Sequence, residues 1–236
     1  MIKPNVTSWR NINVSNAFNV SLKMNDAGNR YGIESTTDTH MMKNSEWAIV
    51  AYLFQSKYGK LGNTNFTGAN KEIYQNKSNQ YITGCSYGSP SNANTDYGCQ
   101  YTYDLETNGT GASTTGTIYG IYDMSGGAWE YVMANYNDMV GNSGFISMPE
   151  SKYYNKYTSN NTSQACNGGE CISHSLSEIN GWYNDYIDIV NEERQWLFRG
   201  GDYHHNNNAG IFYFSAASVM GGPSTIGSFR LVAATK

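Results

Sequence analysis

Helical periodicity is confined to two short stretches of this 236-residue chain, so any core it builds must come largely from short strands and ordered loops. The clearer stretch runs from Asn44 to Tyr58. It offers Asn44 as an N-cap, Glu46 as an acidic first turn, a face of Trp47, Val50, Ala51, Phe54 and Tyr58, and Gly59 as a stop. Ile49 and Leu53 widen the apolar stripe, which predicts burial on more than one side. A weaker pattern places Val14, Phe18 and Leu22 on one face of a helix from Val14 to Met24. Elsewhere 25 Gly, 20 Tyr and abundant Asn favour short strands and tight turns over a helix bundle. Residues 62–116 read as long loops with short strands, Thr117 to Met133 as strand, turn and strand, and residues 135–180 as loop again. Trp196 to Phe198 and Phe229 to Ala233 read as buried strands. With no internal repeat and no charge block, residues 1–236 are expected to form one domain.

Polarity here is mostly uncharged. Only 14% of residues are Asp, Glu, Lys or Arg and the net charge is −4, so the chain lacks the basic field that holds a nucleic-acid backbone. No apolar run is long enough to span a bilayer, and the first residues show no signal-peptide stretch. The four cysteines fall as two local pairs, Cys85 with Cys99 and Cys166 with Cys171, each closing a short loop in the manner of an exported, stapled protein. Neither pair has C-x-x-C spacing, which argues against zinc. The expected setting is extracellular, on a cell surface or on a phage virion, as a domain of a longer exported protein with no direct insertion into a membrane.

The stretch from Arg199 to Val232 carries the strongest functional signal. Its ends, Arg199-Gly200-Gly201 and Gly227-Ser228-Phe229-Arg230, look like framework, and between them lie Tyr, His, Asn, Ser, Gly and Ala. Rigid aromatics with small adaptable polar residues are the composition of a recognition surface. Asp202 is the only formally charged side chain from there to Phe229, too little for phosphate binding or acid/base chemistry. His204 and His205 could ligate a metal, but adjacent histidines diverge and no third ligand is apparent.

Tyr119-Gly120-Ile121-Tyr122-Asp123-Met124-Ser125-Gly126-Gly127-Ala128-Trp129-Glu130-Tyr131 resembles the G-L-Y-D-M-x-G-N-x-W-E-W signature of the formylglycine-generating-enzyme (sulfatase-modifying factor) family. His40 to Ala48 stands where that family has its R-L-P-T-E-A-E-W-E helix, and Arg199-Gly200-Gly201 through Phe229-Arg230 is similar to its closing R-G-G-S-W … G-F-R. The resemblance implies an α+β, C-type-lectin-like fold: a twisted antiparallel sheet, two helices and long irregular loops. Members that oxidise cysteine carry two copper-binding thiols after the R-G-G motif, and the matching positions here are about His205 and Gly210, so the resemblance does not extend to that activity. Cys166 and Cys171 lie upstream of the motif. The resemblance also bears on Asp123, Gly126, Ala128 and Glu130, which correspond to oxygen donors of a structural calcium. Either that ion is held here, or Trp129 anchors the core and the acids cap a turn; no other cofactor is required.

The segment at 202–229 further resembles the variable region of proteins diversified by retroelements, in which template adenines are copied with errors. Asn codons then become Asp, His, Tyr, Ser, Gly, Ala, Thr, Ile, Val, Phe or Pro, among others, but not Lys, Glu, Gln, Trp or Met. Met220 is the one residue between Asp202 and Phe229 outside that set. This reading makes the chain a non-enzymatic, receptor- or adhesin-type binder. Its contact surface would be His204, His205, Asn207, Tyr213, Ser215, Ala216, Ser218 and Val219, exposed on a rigid scaffold and facing a protein or glycan ligand on a cell or host surface. The alternatives are a divergent oxidase or other modifying enzyme, and an undiversified adhesin or phage receptor-binding domain.

Overall fold

Strand β4, Trp129–Tyr136, organises the molecule because both of its faces are buried. The computed structural model describes residues 3–90, 93–158 and 182–234. Along β4, Val132 and Ala134 point to one side, where they meet Trp47, Ala48, Ala51 and Phe54 of helix α2 (Asn44–Phe54). Tyr131 and Met133 point to the other side, against Val14, Ala17 and Phe18 of helix α1 (Val14–Leu22). This is the period of two of a strand covered on both faces.

The remaining strands are β1 (Asp38–Met41), β2 (Cys85–Ser86), β3 (Tyr101–Thr102), β5 (Asn155–Tyr157), β6 (Trp196–Arg199), β7 (Phe214–Ala216), β8 (Gly227–Phe229) and β9 (Leu231–Ala234). The central sheet runs β5-β4-β6-β7, with β8 also paired to β4. It is α+β, as expected, but mixed rather than antiparallel. β4 is antiparallel to β6 and parallel to both β5 and β8. Two small antiparallel ribbons, β1-β9 and β2-β3, complete the sheets.

Both helices start on side-chain caps. The Asn13 side chain accepts from the Asn16 N–H at 2.9 Å. In α2 the Glu46 carboxylate reaches back to the Lys43 N–H at 2.8 Å, and Asn155 of β5 accepts from Ser45 N–H at 2.8 Å. Asn44 is therefore the first helical residue rather than the cap; its amide donates to the Tyr157 hydroxyl at 2.7 Å. α2 stops at Phe54, short of Gly59, because the Ser56 hydroxyl donates to the Leu53 carbonyl and accepts from the Tyr58 N–H. Gly59 serves packing: a Cβ there would lie 2.1 Å from the Phe54 carbonyl oxygen. The expectation that Ile49 and Leu53 are buried is wrong. They are 57% and 59% exposed, and Tyr58 also faces outward, since only the Trp47–Ala51–Phe54 stripe meets the sheet.

Two strand expectations also fail. Thr117 to Tyr122 is a run of turns, because the hydroxyls of Ser113, Thr115 and Thr117 each accept from the N–H two residues on. The stretch from Phe229 to Ala233 is broken at Arg230, so β8 joins the central sheet while β9 pairs with β1 at a more exposed edge. Cys85 and Cys99 are joined as a disulfide. Cys166 and Cys171 lie outside the described residues. Among the described residues no helix is long and apolar enough to cross a membrane.

Candidate functional site

The segment at 202–229 does not form one exposed surface; it splits into an outer turn, a buried run and a second loop. The outer turn begins at Gly200 and Gly201, whose φ of +80° and +69° lie in the left-handed region open to glycine. Asp202 follows, buried, with its carboxylate turned back onto the turn: Oδ1 accepts from the His204 N–H at 2.9 Å and lies 2.6 Å from His205 Nδ1. The same Nδ1 accepts from the Asp202 N–H at 3.1 Å and the Trp129 indole at 3.3 Å, and Nε2 lies 3.2 Å from the Tyr213 hydroxyl. Asp202, His205 and Tyr213 thus form a hydrogen-bonded chain that fixes the turn. Asn206 closes it at φ +47°, a conformation Asn tolerates.

Outside this brace stand the groups that can be touched. His204, Asn207 and Asn208 are exposed. The His204 ring stacks on Tyr203 at 5.2 Å and meets the edge of Tyr97 at 5.3 Å. Tyr97 also packs edge-on to Tyr203 at 5.1 Å, and Tyr81 does so at 5.4 Å under the Arg10 guanidinium. Tyr97 sits in the loop closed by the Cys85–Cys99 bond, so that staple supports the second wall of the site. Sequence reasoning missed Tyr81, Tyr97, Tyr203 and Arg10. The only signal was the richness in Tyr, which does not say which rings meet.

From Ala209 to Ala217 the chain turns inward. Tyr213 is 1% exposed and Ala216 3%, which corrects their placement on the contact surface; Ser215 and His205 are half-buried. The physical reason is that this run supplies the sheet edge and part of the core. The Ile211 carbonyl accepts from the Trp47 indole at 2.7 Å and from the fully buried Arg199 at 3.1 Å. β7 is paired with β6 on one side and with the backbone of Tyr186 and Asp188 on the other. The second loop then exposes Ser218, with Val219 half-buried against the α1 side of the core. It runs past the start of α1, where the Gly221 carbonyl accepts from Val14 N–H at 3.0 Å.

The two positions aligned with family thiols are both committed. His205 is held by Asp202 and Tyr213. At Gly210 a Cβ would fall 2.0 Å from the Asp185 carboxylate, which itself accepts from Phe212 N–H at 2.8 Å.

The turn at Asp123 is committed as well. Both Glu130 oxygens face Arg230, with Nε to Oε2 at 2.6 Å and Nη2 to Oε1 at 2.5 Å. The same guanidinium donates to the carbonyls of Tyr122 at 3.1 Å and Asp123 at 3.2 Å. The Asp123 carboxylate accepts from Asn76 at 2.8 Å and from Gly84 N–H at 3.0 Å. Burial pushes both carboxyls above their ordinary range, and Arg230 opposes this at Glu130. Arg230 therefore occupies both oxygens of Glu130, and the Asp123 carboxylate is engaged by Asn76 and Gly84, so neither acid of the set Asp123, Gly126, Ala128 and Glu130 is turned freely toward a calcium ion. Among the described residues no cluster of three His, Cys, Asp or Glu side chains could hold a metal. The melting temperature should accordingly stay unchanged between millimolar chelator and millimolar calcium, as differential scanning calorimetry would show; a calcium-dependent rise would mean that Arg230 moves aside.

No protein-family model matches the chain, and no curated protein matches it.

Proposed function

We propose that this chain is a non-enzymatic ligand-binding domain of the C-type-lectin-like, formylglycine-generating-enzyme-related type, diversified by a retroelement in the segment at 202–229. The observation that carries this reading is the braced turn: an Asp202–His205–Tyr213 chain fixes a loop whose outer members, His204, Asn207 and Asn208, are exposed. Such a turn can change its outer residues without changing its shape. His204 with Tyr97 and Tyr203 offers flat aromatic area suited to a protein or glycan on a cell or host surface. The Cys85–Cys99 staple suits an extracellular or virion setting. Contact residues on this reading are His204, Asn207, Ser218, the accessible edge of His205, and Ser215 and Val219 at the margins. The tight seat of Gly210 against Asp185 supports the non-enzymatic reading, since a thiol there would need the carboxylate to move.

The test is genomic and functional. DNA encoding roughly residues 202–229 should have a neighbouring near-copy that differs almost solely where the copy has adenine, beside a reverse-transcriptase gene. Differences should concentrate in codons for 203–208 and 218–226, and be rare at Gly210, Phe212 and Tyr213. Without such a copy the diversification fails, and an undiversified adhesin takes its place. Aldehyde formation on a sulfatase-motif peptide in the presence of copper would overturn the non-enzymatic reading.

A further inference from the structure

A groove of about 810 Å³ runs along α1 beside residues 9–13 and Pro223, and none of the exposed residues of the braced turn lines it. Its volume falls in the range of small-molecule sites, roughly 300–1,000 Å³. Trp9 lines it and is 57% exposed, its ring meeting that of Phe229 edge-on at 5.7 Å. The chain around Trp9 is tied down. The Asn11 N–H donates to the Ser224 carbonyl at 2.8 Å, the Val14 N–H donates to the Gly221 carbonyl at 3.0 Å, and the Arg10 guanidinium lies 3.8 Å over the Tyr81 ring. An exposed indole on a fixed backbone offers an apolar plane at little ordering cost.

Asn11, Asn13, Asn16 and Asn19 supply most of the polar lining. Asn13 is engaged by the α1 cap, its oxygen accepting from the Asn16 N–H at 2.9 Å. Asn11, Asn16 and Asn19 are exposed, and their side-chain amides have no hydrogen-bond partner among the described residues. Asn16 and Asn19 are three residues apart on α1, so their Cβ atoms stand about 5–6 Å from each other on one face. That separation matches hydroxyls on opposite sides of one sugar ring. Each amide offers a donor and an acceptor together, which is what a hydroxyl can answer. Among the described residues of the lining Lys23 is the only charged side chain, and it is exposed, so no carboxylate selects a cation and a single solvated lysine is a weak anchor for an anion. A helix and a turn wall the groove, so it has no strand edge to which a polypeptide could add. Uncharged amides beside an apolar plane suit a neutral pyranose, which has a C–H face and a rim of hydroxyls.

We propose that this groove binds a neutral hexopyranose, stacked on Trp9 with its equatorial hydroxyls on Asn16 and Asn19. The inference goes beyond the braced-turn reading and does not rest on it. Cellobiose tests it against two controls: sorbitol has the hydroxyls without a ring face, and cyclohexylmethanol has the ring with a single hydroxyl. In NMR titrations of the intact chain at millimolar concentration, cellobiose should shift the Trp9 indole resonance and the amides of Asn11, Asn16 and Asn19, and neither control should. Trp9→Leu keeps an apolar side chain beside Phe229 but removes the flat ring, and should weaken cellobiose about tenfold or more. The Asn16→Ala, Asn19→Ala double variant should do the same, with α1 intact because alanine is the better helix former. His204→Ala should leave cellobiose binding unaltered. Absence of cellobiose binding, equal shifts from either control, full affinity in Trp9→Leu or in the double variant, or loss of binding in His204→Ala would overturn the proposal.

Discussion

Replacing Arg230 with methionine should lower the unfolding free energy by about 3–5 kcal/mol, because it strands an ionised Glu130 inside the protein. Arg230 is 8% exposed, supplies two hydrogen bonds to Glu130, and ties the carbonyls of Tyr122 and Asp123 to the junction between β8 and β9. Domains of this kind hold only about 5–15 kcal/mol in all, so the loss is a large fraction of the total. The loss should also depend on pH in a stated direction. Without the guanidinium the Glu130 carboxyl rises further above its unfolded value, and a carboxyl raised in the folded state costs stability as pH increases. The deficit against wild type should therefore be larger at pH 7.5 than at pH 5. Urea unfolding at both values measures it, and a double variant with Glu130→Leu should recover part of the loss. A single-variant effect below about 1 kcal/mol, or a double variant worse than the sum of the singles, would show that the pair is not what holds this corner.

Tyr213→Ala should cost about 3–5 kcal/mol, as for other buried aromatics, whereas His204→Ala, Asn207→Ala and Ser218→Ala should each stay within about 0.5 kcal/mol. These four residues looked alike in sequence. In the structure Tyr213 is 1% exposed, packs edge-on to His205 at 5.0 Å and is hydrogen-bonded to its Nε2, while the other three face solvent. Loss of the tyrosine opens a cavity under the turn and frees the His205 ring. Ligand binding should follow the opposite order at constant fold: the three exposed substitutions should alter which ligand is held. If Tyr213→Ala leaves stability unaltered, the brace is not a brace. If the exposed substitutions unfold the chain, the turn belongs to the core.

Local features follow from the order of residues alone. The α2 face of Trp47, Ala51 and Phe54, the buried strand at Trp196 to Phe198, the Cys85–Cys99 pair and the loop-rich stretch at 62–116 were legible because each depends on side chains a few residues apart or on a short closed loop. The Asn44 and Gly59 boundaries were misread because competing partners decide helix ends. Those partners were Glu46 and Asn155 at the start and the Ser56 hydroxyl at the finish. Other features were decided only by tertiary structure. Ile49 and Leu53 are apolar and outward because the sheet reaches just one stripe of α2. The Glu130 carboxylate faces Arg230, 100 residues away, a pairing that no local period encodes. The candidate surface was legible as a composition at 202–229 but not as a shape. Tyr213 and Ala216 are drawn inside because the chain there must complete the sheet edge against β6 and satisfy its backbone, and only the turn before it and the loop after it are left exposed.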